Sequence, residues 1–238
     1  MTETALEARP AASGQTAFLR AAWAVMWKDL AAEWRSRELV GAMLVFALLV
    51  LLIFNFALEL DVRTRETITA GVLWVTFAFT GTIGLNRSLA VEKDRGCLDG
   101  LLLAPVDRSA IYFGKVGANL AFLGVVAAVV LPTYSVLYNV NLFVPGLLGV
   151  IGLGGLGYIA VGTLLASMAV EARTRELLLP VLLFPVALPV LIPAVKASTG
   201  FLQGVPLADI AVWLRLLVVY DVVFLVVAWW VFDAVVEE

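Results

Sequence analysis

At 238 residues, 62% hydrophobic and 15% charged, with a mean hydropathy of +1.00, the chain reads as an integral membrane protein and not as a soluble globule. Its net charge of −3 is mild and points to no nucleic acid or other strongly charged partner. With no histidine and Cys97 as its only cysteine, it excludes His-ligated zinc, a His-based triad, His axial ligation of haem iron and an intrachain disulfide.

Residues 1–15 are small and polar, include Pro10 and Gly14, and are expected to be disordered. The first hydrophobic run comes too late and is too long for a cleaved secretory signal. From 16 to 39 the pattern is helical. Trp23, Trp27, Leu30 and Trp34 recur four, three and four apart and so share one face, while Arg20, Lys28 and Arg35 occupy another. Lys28, Asp29, Glu33, Arg35, Arg37 and Glu38 are too many charges to bury in hydrocarbon. The segment is therefore predicted to be an amphipathic helix lying in the membrane interface, ahead of the first span.

Residues 40–238 are expected to form one membrane domain with six spans near 40–58, 67–85, 111–137, 143–170, 177–195 and 210–232, each close to the roughly 20 residues that cross about 30 Å of hydrocarbon. The predicted class is an all-α polytopic membrane protein with six transmembrane helices, an N-terminal interfacial amphipathic helix and a cytoplasmic coupling helix. An even number of spans leaves both termini on one side. If that side is the cytoplasm, it collects Arg9, Arg20, Lys28, Arg35, Arg37, Arg87, Lys93, Arg95, Arg108, Lys115, Arg173 and Arg175, against Arg63, Arg65 and Lys196 outside. This basic bias sets the orientation.

Between spans two and three lies a long charged interruption, with the coupling segment at 86–110. A charged lead-in of Glu92, Lys93, Asp94 and Arg95 precedes Gly96, and Leu98, Leu101 and Leu102 then fall on one helical face. Pro105 stops that helix, Val106 to Ser109 make a polar elbow, and the next helix carries Lys115 near its start. The pattern E-x-x-x-G-x-L-[DE]-x-L-x-x-x-P, followed ten residues later by Lys, resembles the cytoplasmic coupling segment of ABC-2-type permeases. Glu92, Gly96, Leu98, Asp99, Leu101, Pro105 and Lys115 are the matching positions, with Leu102 on the same face. The resemblance implies that this helix docks into a cleft on a separate ATPase subunit.

The fourth span carries Gly146, Gly149, Gly152 and Gly155 at intervals of three, with Gly154, Gly157 and Gly162 nearby, a pattern that lets helices approach closely in lipid. Its G-x-G-x-x-G match at 152–157 is not a dinucleotide fingerprint, because no strand and no phosphate-facing helix N-terminus belong inside a membrane span. In the fifth span Pro180, Pro185, Pro189 and Pro193 are expected to preclude a straight regular helix, leaving open a gate or a kinked packing helix. Residues 201–209 are expected to form a short re-entrant or surface piece. Asn55, Asn119, Arg215 and Asp221 are the polar residues within spans, and Asn119, Arg215 and Asp221 are candidates for an intramembrane function. Arg215 is expected to snorkel. Asp221 calls for a partner, a wet cavity or protonation, with pairing to a neighbouring helix the favoured of these.

Over most of its length the chain is similar to the B-type permease subunit of the cytochrome c maturation system, the haem exporter protein B family. The residues carrying the likeness are W-K-D-L-x-x-E-x-R-S-R-E at Trp27 to Glu38, N-F-A-L at Asn55 to Leu58, the core motif at Gly96 to Pro105, and L-P-V-L-L-F-P-V-A-L-P at Leu179 to Pro189. The resemblance implies a location in the bacterial inner membrane and three partners: an ABC ATPase, a haem-handling membrane subunit and a periplasmic haem chaperone. A homodimer, or pairing with another permease, is also expected. The chain itself is expected to bind no cofactor and to catalyse nothing, with ATP on the partner and haem handled by the complex. It lacks the phosphate loop G-x-x-x-x-G-K-[ST], since Gly114-Lys115 is followed by Val116. The task implied is to couple ATP hydrolysis to haem delivery or to release of the haem-loaded chaperone. An ABC-2 exporter of another cargo, a lipid, glycan or drug, is the alternative.

Overall fold

The computed structural model describes residues 14–57, 62–94, 107–169 and 174–235. Among them the chain forms seven helices: α1 (Gly14–Ser36), α2 (Glu38–Ala57), α3 (Val62–Asp94), α4 (Arg108–Tyr138), α5 (Pro145–Ala169), α6 (Arg175–Leu202) and α7 (Leu207–Val235). Six of these, all but α1, contain stretches long and apolar enough to cross a membrane. The all-α, six-span class expected from the sequence is what the chain adopts. Helix already begins at Gly14, so the last two residues of the stretch expected to be disordered are helical. Residues 1–13 lie outside the described residues.

α3 and α5 are the enclosed centre of the bundle, while α2 and α7 lie at its margins and keep broad apolar faces outward. Each marginal helix holds the centre through one stripe. In α2 the buried residues are Leu39, Met43, Ala47 and Leu51, four apart, and the opposite side exposes Val45, Leu52 and Phe56. Such exposure suits a lipid solvent, where apolar surface need not be hidden.

Tyrosine hydroxyls fasten the bundle internally. All five tyrosines lie in spanning helices, and every one bonds across to a different helix. From α4, Tyr112 donates to the Ala160 carbonyl of α5 (2.9 Å), Tyr134 to Thr69 of α3 (3.1 Å) and Tyr138 to the Leu51 carbonyl of α2 (3.1 Å). Tyr158 of α5 donates to the Ala78 carbonyl of α3 (2.8 Å) and lies 2.7 Å from the Thr82 hydroxyl. Tyr220 of α7 donates to the Val186 carbonyl of α6 (2.8 Å). Inside a bilayer a phenol has no water to return to, so each of these bonds selects one helix register.

The glycine-rich α5 approaches its neighbours closely at some glycines and not at others. A Cβ on Gly154 would lie 2.3 Å from the Trp74 ring of α3, and one on Gly162 would lie 2.2 Å from Leu85. Gly149 and Gly152 face open space, so the interval of three is not itself the contact line.

Two expectations are corrected. α6 runs as one α-helix through Pro180, Pro185, Pro189 and Pro193, and extends to Leu202. Its buried stripe of Leu179, Leu183, Ala187, Val190, Ala194 and Ala197 continues past every proline, with Pro185 and Pro189 on the outer side. Packing along that stripe holds the helix together despite the missing N–H groups. Residues 201–209 do not form a re-entrant piece, because only 203–206 separate α6 from α7. Gly204 takes the left-handed conformation (φ 67°) and Val205 N donates to the Gly200 carbonyl at 2.9 Å, a Schellman-type stop that reverses the chain at once.

Candidate functional site

The helix directions bring the charged interruption to one end of the bundle. α3 finishes at Asp94 and α4 starts at Arg108, and the ends of these two helices meet the beginnings of α1 and α2. Arg87 near the end of α3 forms an ion pair with Glu38 at the start of α2, both largely exposed, so this contact orients more than it stabilises. The lead-in is helical: residues 86–94 prolong α3 beyond its apolar core, and Glu92 sits in the last turn. Gly96, Leu98, Asp99, Leu101, Leu102 and Pro105 lie outside the described residues.

The polar elbow reappears as a helix cap. Asp107 accepts a hydrogen bond from Ser109 N at 3.0 Å through Oδ1, and the Ser109 hydroxyl donates to the same oxygen, satisfying N–H groups that the first turn of α4 leaves unpaired. α4 therefore has a defined starting point at Arg108.

Lys115 is not at the surface. Its side chain is 3% exposed and its ammonium lies 2.8 Å from Asp29 Oδ2 of α1, which is itself 11% exposed. Although Oδ2 meets no donor at a good hydrogen-bond angle, opposite charges this close and this enclosed attract strongly, and the Coulombic contact is the part that matters. Lys28 reaches the other oxygen, Asp29 Oδ1, at 3.3 Å. Two glycines make the approach possible. A Cβ on Gly114 would lie 2.7 Å from the Ala22 carbonyl and from Val25 Cβ, and one on Gly117 would lie 2.8 Å from Met26 Sδ. Phe18 packs edge-on against Phe113 at 5.9 Å. α1 is thus seated along the first three turns of α4.

The outer face of α1 is the tryptophan face. Trp23, Trp27 and Trp34 are exposed, with Trp23 and Trp27 stacked at 6.5 Å, while Leu30 turns partly inward. Glu33 caps the next helix: its Oε1 accepts from Val40 N at 2.9 Å, across a corner made by Arg37 in the left-handed conformation (φ 55°). Of the charges on α1 judged too numerous to bury, Asp29 is the exception, because a buried lysine meets it.

Deeper in the bundle, the Asn119 amide donates weakly to Thr163 of α5 at 3.4 Å, and its Oδ1 has no partner. Arg215 is exposed on α7. Asp221 is buried, and neither carboxylate oxygen has a hydrogen-bond partner, so the expected pairing with a neighbouring helix is not found. Asp29 as the partner of Lys115 and the five tyrosines as inter-helix ties were not anticipated. Confinement of every tyrosine to a span was the available signal for the latter.

Comparison with known proteins places these features in context. The family model described as CcmB protein matches residues 20–238, which takes in most of α1 and all six spanning helices. The Heme exporter protein B of Pseudomonas aeruginosa is 26% identical over 181 residues, 76% of this chain and 81% of that protein. The protein of the same description from Rhodobacter capsulatus is 28% identical over 198 residues, 79% of this chain and 88% of its own. That from Paracoccus denitrificans is 27% identical over 175 residues, with 73% and 80% covered.

Proposed function

Because this chain belongs to the CcmB family, we propose that it is the membrane subunit of an ATP-driven complex that exports or delivers haem in cytochrome c maturation. It hydrolyses nothing itself. A separate ABC ATPase supplies the energy, and a haem-handling membrane subunit and a periplasmic haem chaperone act alongside, so that motion of the spans delivers haem or frees the loaded chaperone. The chain resides in the bacterial cytoplasmic membrane with both termini in the cytoplasm, as the excess of Lys and Arg at that end favours.

The observation that carries the mechanical reading is the convergence of α3, α4 and α1 around the charged segment. A push on residues 95–106 reaches α3 at Asp94 and α4 at Asp107, and the Asp29–Lys115 contact passes it on to α1. Glu92, Gly96, Leu98, Asp99, Leu101, Leu102 and Pro105 form the docking element in this reading, and Lys115 acts behind it as a strut. Substituting Leu98→Asp together with Leu101→Asp removes the apolar face that would enter the ATPase cleft. Copurification of the ATPase in mild detergent is expected to be lost while the chain still inserts in the membrane. Undiminished association of the doubly substituted chain would overturn the mechanism.

A further inference from the structure

Asp221 is only 4% exposed, in a stretch of α7 from Leu207 to Val231 with mean hydropathy 2.4, and both of its oxygens lack a partner. The surroundings are apolar and tight. A Cβ on Gly157 of α5 would fall 2.2 Å from Asp221 Oδ1, and would meet Val190 Cγ2 of α6 at 3.0 Å and the Tyr220 ring at 3.2 Å. The carboxyl is pressed against the glycine backbone.

No countercharge faces it among the described residues. α4, α5 and α6 are the elements packed on α7. α5 contains no charged residue between Pro145 and Ala169. On α6, Arg175 and Glu176 stand at the first turn, and Lys196 is exposed one and a half turns beyond Val190. On α4, Arg108 is in the first turn and Lys115 is held by Asp29. On α7 itself Asp209 and Arg215 are exposed, and Arg215 points to a different side of the helix six residues away. Tyr220 is the one titratable neighbour, and its hydroxyl is committed to the Val186 carbonyl.

A lone carboxylate taken out of water without a partner is penalised by several kcal/mol, and binding a proton removes most of that penalty. We infer that Asp221 is an intramembrane proton-binding site, neutral while the α6–α7 pair packs on α5, and that it exchanges one proton with water whenever α5 parts from that pair. Parting admits water, the carboxyl O–H bond breaks, and the proton leaves as hydronium; closure on Gly157 reverses the step. The permease's conformational equilibrium then depends on pH, with acid favouring the packed arrangement.

The test is infrared spectroscopy of the full-length protein in lipid nanodiscs at neutral pH. A carboxylic-acid C=O band is expected, shifted on exchange into D2O, shifted again when aspartate is 13C-labelled, and lost in Asp221→Asn. If the variant does not accumulate, the labelled wild type decides alone: absence of a label-sensitive acid band overturns the proposal, as does a band that survives in the variant. As a second readout, the wild-type melting midpoint is expected to fall as the pH rises above the ordinary carboxylate range, because the folded chain holds a proton that the unfolded chain releases. Asp221→Asn is expected to lack that slope, and equal slopes would also overturn the proposal.

Discussion

Two ordinarily charged side chains are buried among the described residues, and the helices around them treat them in opposite ways. Lys115 has its opposite charge delivered by a second helix, α1, brought close by Gly114 and Gly117. Asp221 also lies against a glycine, Gly157, yet the helices that meet it there bring backbone from α5 and Val190 from α6 and no countercharge among the described residues. The same packing device, a missing side chain that lets two helices touch, therefore yields a fixed ion pair at the coupling end and an isolated acid among α5, α6 and α7. Close approach determines how enclosed a charge becomes. The side chains that arrive with the approach determine whether it is compensated.

The sharpest way to break this contrast is at the compensated end. Lys115→Met leaves the enclosed Asp29 carboxylate with only the exposed Lys28 beside it, for a loss of up to the about 3–5 kcal/mol typical of removing one member of a buried pair. Detergent-titration unfolding should show that loss, and Asp29→Leu in the same chain should restore most of it. A single variant as stable as the wild type would mean that Asp29 is hydrated and that the pair does not hold α1 to α4.

A smaller effect is expected at the uncompensated end. Gly157→Ala puts a methyl group into space held by the Asp221 carboxyl, an overpacking that typically costs about 1–3 kcal/mol. Adding Asp221→Ala frees that space, so the double variant should be less impaired than the sum of the two singles, and strict additivity would argue that α5 and α7 are not in contact there. Smallest of all, Tyr220→Phe removes one bond to the Val186 carbonyl without changing shape, for an expected loss of about 0.5–1.5 kcal/mol in the same unfolding measurement.

The spans were legible because hydropathy over twenty residues is a property of the chain itself: all six fall within a few residues of their expected places, apart from the α6 extension to Leu202. The elbow was legible from local chemistry in its described part, since Asp107 to Ser109 is a helix cap, while the stop expected at Pro105 lies outside the described residues. What was not legible depended on partners distant in sequence. The four prolines of α6 left a gate and a kinked packing helix equally open, because the continuous stripe from Leu179 to Ala197 matters only once other helices pack on it. Asp29 was counted among surface charges because its partner stands 86 positions later, and Lys115 was assigned to a docking surface for the same reason. For Asp221 the sequence posed the question of a partner, and the packing supplies none among the described residues.

The brevity of the 203–206 link has a mechanical corollary. Four residues at no more than about 3.6 Å each leave almost no slack between the foot of α6 and the head of α7. With Tyr220 clipped to α6 higher up, the two helices behave as one hairpin and must tilt together. A stroke that displaces either of them drags the other along, and with it the acid at Asp221, so that rigidity here turns a push at one rim of the bundle into a change deep within the bilayer.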